Sequence, residues 1–302
     1  EKKVSITAAY LTVIIIWSTT PLAIQWSSAG VGYEFGVALR MVIGLSVLLL
    51  IVKLWRQPLP WDKHNLQIYL SGGLPLFIAM SMVYWSAQFI PSGWISVIFG
   101  LTPLFTSLFA SLILGEKSFT TGKTIGMLLG LAGLAIVFQE SLSFEQAAWW
   151  GVAGVSISSL VHSLSTVLIK KLNPTIPAIS ITTGSLIVAT PLFVLNSLFH
   201  GLPQDIPTQS LSAIVYLAIM GSALGFPLYF YCLKKLHAQR VALITFITPV
   251  TALLLGNWLN HELISQQIWL GTACILAGLA IYEYGKYLPW KKGWVRWIRN
   301  PL

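Results

Sequence analysis

Apolar residues run through this chain in long unbroken stretches, separated by short polar breaks. Ten stretches stand out, at residues 4–26, 33–55, 66–90, 92–114, 121–138, 147–170, 176–199, 211–233, 238–259 and 266–288. A helix needs about 20 apolar residues to cross a bilayer's hydrocarbon core, and each stretch falls in that range, the fifth being the shortest. None alternates strictly between apolar and polar, as a barrel strand would, and a helix satisfies its backbone polar groups within one segment. The pattern predicts an all-α integral membrane protein with ten transmembrane helices.

The polar breaks differ in sign. Lys2 and Lys3 precede the first stretch. Lys53, Arg56 and Lys63 follow the second, Lys117 and Lys123 the fourth, Lys170 and Lys171 the sixth, and Lys234, Lys235 and Arg240 the eighth. Lys286, Lys291, Lys292, Arg296 and Arg299 mark the tail. The intervening breaks carry Glu34, Glu140, Glu145, Asp205 and Glu262 instead. Short cytoplasmic loops are enriched in Lys and Arg, so this alternation predicts both termini in the cytoplasm. The first stretch carries no A-x-A cleavage pattern and is expected to be a retained span rather than a signal peptide.

Composition agrees. Of 302 residues, 56% are hydrophobic and 9% charged, where a soluble domain carries about 25% charged; the mean hydropathy is +0.77. This excludes a soluble enzyme or a nucleic-acid binder despite the net charge of +9. Every Lys and Arg except Arg40 lies in the alternate breaks or the tail, so the charge encodes orientation. Many tryptophans (Trp26, Trp55, Trp61, Trp94, Trp149, Trp150, Trp258, Trp269) lie near stretch ends, as interfacial belts require. In the tail, Trp290, Trp294 and Trp297 share one helical face among basic residues, which reads as an amphipathic helix on the anionic inner leaflet. Cys232 and Cys274 are read as small hydrophobes, not as a disulfide or a metal site. Gly122-Lys123-Thr124 imitates the end of a phosphate-binding loop, but the earlier glycine is missing, and ATP binding is rejected. No cofactor or metal site is expected.

The two halves repeat. Pro103 aligns with Pro249 and Glu116 with Glu262 at a spacing of 146 residues. After a one-residue deletion, Gly126 aligns with Gly271 and the hexapeptide Leu-Ala-Gly-Leu-Ala-Ile at 131–136 recurs identically at 276–281. Half the chain holds five stretches, an odd number, so the second half enters the membrane from the opposite side. Inverted repeats of this kind build secondary transporters, with the substrate near the midplane between them. The predicted division is 1–140 and 141–288 as inverted five-helix repeats, with 289–302 as a basic cytoplasmic tail.

On these residues the chain resembles the drug/metabolite transporter superfamily, and within it the EamA family. The motif positions are Pro103, Glu116, Gly126 and Gly133, then Pro249, Glu262, Gly271 and Gly278. Trp17-Ser18 is similar to the family's first-span element, and Arg40 stands where many members carry Arg. The resemblance implies a multi-pass permease of the bacterial inner membrane, often an exporter, with a central cavity lined by the first, third, fourth, sixth, eighth and ninth spans.

Candidate chemistry is sparse. Arg40 is the one basic residue inside a span, and an intramembrane charge is costly and suggests function. It reads either as a counter-ion for a substrate carboxylate or phosphate, or as a snorkelling or carbonyl-capping group. His162 lies mid-span and reads either as a substrate or proton ligand or as a packed neutral ring. No Asp or Glu lies mid-span, which argues against strong proton coupling. Trp17, Tyr84, Trp85, Phe99, Tyr229, Tyr231 and Phe246 would form a wall for apolar, aromatic or cationic metabolites if they face the cavity, and packing aromatics if they do not. Thr19 and Gln88 are candidate hydrogen-bonding groups. Pro21, Pro103, Pro227 and Pro249 are candidate hinges. The expected function is secondary transport of a small organic metabolite by alternating access, foremost export of amino acids or related amphipathic compounds. Movement of a small cation or cofactor precursor is the alternative, and a membrane enzyme a distant third.

Overall fold

The structure, a computed structural model, describes residues 5–115, 121–144, 147–235 and 238–285, and the tail at 289–302 lies outside them. The described residues are helical, with no strand among them. Twelve α-helices follow one another: α1 (Ile6–Ser28), α2 (Tyr33–Leu54), α3 (Lys63–Ser86), α4 (Ser92–Phe99), α5 (Thr102–Leu114), α6 (Thr121–Phe144), α7 (Ala148–Lys171), α8 (Ala178–His200), α9 (Thr208–Tyr216), α10 (Phe226–Lys235), α11 (Ala238–Asn260) and α12 (Gln266–Tyr284). A π-helical stretch, Leu217–Gly225, joins α9 to α10. Among the described residues, eight helical stretches are long and apolar enough to cross a membrane. The fifth predicted stretch is longer than its apolar core, because α6 continues through Gln139 and Glu140 to Phe144.

Two interruptions follow from proline chemistry. Pro103 has no N–H to give the carbonyl one turn back, and the fourth stretch breaks there: α4 ends at Phe99 and α5 resumes at Thr102. Pro227 follows the π-helical stretch. Its ring crowds the preceding turn, and a widened i→i+5 turn is one way a helix absorbs such crowding. Pro249, the repeat-mate of Pro103, behaves differently: it sits within an unbroken α11, as Pro21 does in α1.

Packing relates the halves by an approximate twofold axis. α6 packs on α12, α2 on α8, and α4 on α11, each pair joining equivalent stretches of the two halves. Other pairings are exchanged: α3 on α7 and α8 is mirrored by the α9–α10 region on α1 and α2. The α6–α12 contact is backbone on backbone. A Cβ on Gly126 would lie 2.5 Å from the Gly278 carbonyl, and one on Gly133 2.7 Å from the Gly271 carbonyl. These are the four repeat-related glycines, and the two contacts are equivalent under the exchange of halves.

At one end of the bundle, the turn after α11 folds back as a latch. The Glu262 carboxylate accepts from the Gly93 N–H at 3.3 Å and from the Asn260 amide at 3.0 Å. Asn260 also donates to Gln25 (3.1 Å), and the Gln25 amide donates to the carbonyls of Ala87 and Ile90 at 3.3 and 2.8 Å. α1, the α3–α4 turn, α4 and α11 are tied together there. Glu116, the repeat-mate of Glu262, lies outside the described residues.

Gly126→Ala and Gly278→Ala should each lower the stability of the purified protein by about 1–3 kcal/mol, because an inserted methyl has backbone rather than a movable side chain in its way. Thermal unfolding in detergent checks this, and an unchanged midpoint in both variants would rule out the glycine crossing as described.

Candidate functional site

Arg40 sits on the eighth residue of α2 and is only 3% exposed. Its Nε donates to Ser222 Oγ at 3.2 Å and its Nη1 to Tyr84 Oη at 3.3 Å. Its Cζ lies 6.0 Å from the centroid of the Tyr84 ring, which is itself fully buried. Gly221 gives the guanidinium room, since a Cβ there would come 3.2 Å from Nη2. Among the described residues no carboxylate pairs with Arg40. Two neutral hydroxyls therefore hold a buried cation with N–H capacity to spare. A buried charge without a counter-ion is expensive to retain.

Arg40 forms part of the wall of a cavity of about 140 Å³. α2 adds Met41, and α3 adds Gly72, Pro75, Leu76 and Met80. α7 contributes His162, Ser165, Thr166 and Ile169, and α8 contributes Ile181, Thr182, Ser185 and Leu186. Ser222 and Phe226 close the wall from the π-helical stretch and α10. The helix positions are set by small residues. A Cβ on Gly73 would lie 2.5 Å from the Ser185 carbonyl, and one on Gly72 would strike the Ser185 hydroxyl, so the glycine pair admits α8 and brings Ser185 to the cavity. α7 is fastened through serines: Ser158 donates to the Ala79 carbonyl and Ser165 to the Ser71 carbonyl, both at 2.8 Å, and Ser163 donates to the Thr102 carbonyl at 3.2 Å. His162 stands among them on α7, and no hydrogen bond to its ring is made by the described residues.

Arg40 and His162 thus meet in one cavity, and Tyr84 supports it through Arg40. The remaining candidates lie elsewhere. Trp17 packs with Tyr10, Val13, Ile14, Leu228 and Ile244 in a separate apolar cluster. The Thr19 hydroxyl is occupied by the Ile15 and Ile16 carbonyls and by Tyr216 Oη at 2.6 Å, and joins α1 to α9. Gln88 is exposed and donates to the Trp85 carbonyl. Phe99 packs against the main core at the end of α4, and Tyr231 is half-buried on α10. The side chains of Tyr229 and Phe246 lie outside the described residues. The cavity draws on the second and seventh stretches, where the family resemblance assigns the first, fourth and ninth. Ser165, Thr182, Ser185, Ser222 and the Gly72-Gly73 pair were not singled out by sequence. The available signal was a run of hydroxyl residues on the face of α7 that carries His162.

Trp85 lines a second concavity of about 440 Å³ with Tyr33, Phe77, Ser81, Met82, Trp150, Ala153, Gly154, Ile157 and Asn196. It lies toward the ends of α2, α3, α7 and α8 opposite to Lys171.

The family model for EamA-like transporters matches residues 5–139 and again residues 149–283. The chain is 27% identical over 281 residues to the uncharacterized transporter YoaV of Bacillus subtilis, covering 91% of this chain and 96% of that one. It is 27% identical over 292 residues to the inner membrane transporter YedA of Escherichia coli K12 (93% and 91% covered) and 22% identical over 292 residues to the protein PagO of Salmonella typhimurium (95% and 96%). A crystal structure with 22% identity superposes with a TM-score of 0.63 over 93% of this chain and 98% of the other, which speaks to the fold.

Arg40→Met removes the charge together with its desolvation cost, and replacing buried charges by apolar groups of similar volume is often neutral or stabilising. The melting temperature of the ligand-free variant should equal or exceed that of the native chain. A fall as large as that of a core truncation would make Arg40 a structural clasp instead.

Proposed function

Because the chain belongs to the EamA-like transporter family, we propose that it moves a small carboxylate-bearing metabolite, an amino acid or related amphipathic compound, across the membrane by alternating access. It is a multi-pass membrane transporter and not an enzyme. The observation that carries the substrate class is the buried Arg40, which lines the cavity without an acidic partner among the described residues. A carboxylate can take the guanidinium in a bidentate pair. Ser185, Ser222 and His162 are placed for its polar remainder, and Met41, Met80, Leu186 and Phe226 for its apolar part. A cationic substrate finds no support in this cavity, because its described wall holds no carboxylate.

The topology proposed is ten spans with both termini in the cytoplasm. α4 with α5, and α9 with α10, each count as one span. The alternation of basic and acidic breaks supports this orientation. It puts the Lys170-Lys171 end of α7 in the cytoplasm and the Glu262 latch on the outer side. The cavity then extends from Arg40 toward the cytoplasm, walled by the inner halves of α7 and α8, while the latch ties α1, α4 and α11 together at the outer end. That is the arrangement of a carrier loading from inside, and export is the direction it favours. The halves 1–140 and 141–288 are the units that rock, and the tail at 289–302 rests on the anionic inner leaflet of a bacterial inner membrane.

Counterflow into proteoliposomes tests the reading, with a panel of radiolabelled amino acids, monocarboxylates and organic cations. Saturable exchange of a carboxylate-bearing compound is expected. Arg40→Gln should raise its KM about 30- to 100-fold, the equivalent of roughly 2–3 kcal/mol of a charge-assisted pair, and Arg40→Lys should recover only part of the loss. Exchange confined to cations, or untouched by Arg40→Gln, would refute the proposal.

A further inference from the structure

The cavity at Arg40 and the concavity at Trp85 share four helices, α2, α3, α7 and α8. On α7 the groove ends at Ile157 and the cavity begins at His162, about 7.5 Å apart at ~1.5 Å per residue. On α3 they overlap, with Phe77 in the groove and Met80 in the cavity. On α8 one face carries Thr182, Ser185 and Leu186 in the cavity and Asn196 in the groove. Between them on that face are Ala189 and Phe193, both fully buried. The Phe193 ring meets Phe77 edge-on, with centroids 4.9 Å apart. One aromatic pair thus stands between the two concavities.

The groove is not purely apolar. Ser81 Oγ in its wall is enclosed and has no hydrogen-bond partner among the described residues. A lipid tail lying there would leave that hydroxyl unsatisfied, which costs free energy. A substrate with an apolar body and a hydrogen-bonding group would satisfy it.

We propose that the groove lined by Phe77, Ser81, Trp85 and Trp150 is a second station on the substrate's path, and that the Phe77–Phe193 pair is the barrier between it and the Arg40 cavity. The station takes the apolar or aromatic body of a carboxylate-bearing substrate against Trp85 and Trp150, with Ser81 as its hydrogen-bonding partner. This rests on the carboxylate reading of the Arg40 site and extends it to a full path.

Single cysteines in a Cys232→Ala/Cys274→Ala background test it in proteoliposomes. Ser81→Cys should react with an impermeant charged methanethiosulfonate from the face bearing Tyr33. Ser185→Cys should react preferentially from the face bearing Lys171. Adding Phe77→Ala, or Phe193→Ala should the first variant fail to fold, should remove that preference. With 3-phenylpropanoate as the probe, at ten times its half-protecting concentration, both cysteines should react about tenfold more slowly, as simple occupancy requires. If Ser81→Cys is reached only by a lipid-soluble maleimide, the groove holds a lipid tail and the proposal falls. It falls also if both Phe variants, correctly folded, keep the sidedness of Ser185→Cys. Protection of Ser185→Cys alone would overturn the second station and leave the carboxylate reading standing. Protection of neither would overturn both.

Discussion

Helices surrounded by lipid gain little by burying apolar side chains against one another, because the lipid is as apolar as they are. They associate where small residues let backbones touch. The crossing of α6 and α12 is the clearest case. Gly126 meets Gly278 and Gly133 meets Gly271, at separations that leave no room for a Cβ. The contact sits where the approximate twofold axis passes between equivalent helices. The same rule operates at the cavity. Gly72 and Gly73 let α8 lie against α3, and Gly44 faces Ser222 of the π-helical stretch, where a Cβ would come within 3.1 Å of its Cβ. Remove these approaches and the walls that surround Arg40 separate.

The cavity is therefore a by-product of close packing that is locally incomplete. Serine side chains make the incompleteness tolerable. Ser158, Ser163 and Ser165 give their protons to carbonyls of neighbouring helices, which fixes α7 without filling the space beside it. The π-helical stretch does the same for the other wall. Its widened turn presents Ser222 to Arg40 at hydrogen-bond distance. The guanidinium is held in place by neutral groups that a negatively charged ligand can displace. At the far end the Glu262 latch crosses from α11 to α1 and α4. In the proposed alternating-access cycle, its hydrogen bonds break as the Arg40 end closes.

Most of the helical framework was legible in the sequence, since continuous apolarity and the sign of the polar breaks report depth and segment length. The Gly motif was legible too, because identical residues recur at fixed spacing. Which side of each helix faces a neighbour was not legible. These helices are apolar nearly all round, so the 3.6-residue periodicity that marks the buried face of a soluble helix is absent. For that reason Trp17, Trp85 and Phe99 looked equivalent in sequence, although one joins a separate cluster, one lines the groove and one packs the core. Arg40 and His162 were found because polarity inside a span is rare whatever face it occupies. The hydroxyls of Ser185 and Ser222 were missed because Ser is common in such spans, and sequence does not tell a hydroxyl that bonds its own helix, as Ser46 and Ser156 do, from one that reaches a neighbour, as Ser158 and Ser165 do.

The twofold relation also explains why the charge is single. α2 and α8 pair across the axis, and counting from their first residues, Tyr33 and Ala178, Arg40 and Ser185 hold the same helix position. Both line the same cavity. A second arginine at 185 would place two cations in one low-dielectric space, where like charges repel strongly. It would bind a dianion, or demand an acidic partner that the described spans do not supply. One arginine and one serine make the cavity complementary to a molecule with a negative end and a neutral hydrogen-bonding end. In the proposed cycle the near-symmetric scaffold opens to either side, while the asymmetry of Arg40 against Ser185 gives a carboxylate-bearing substrate one preferred orientation.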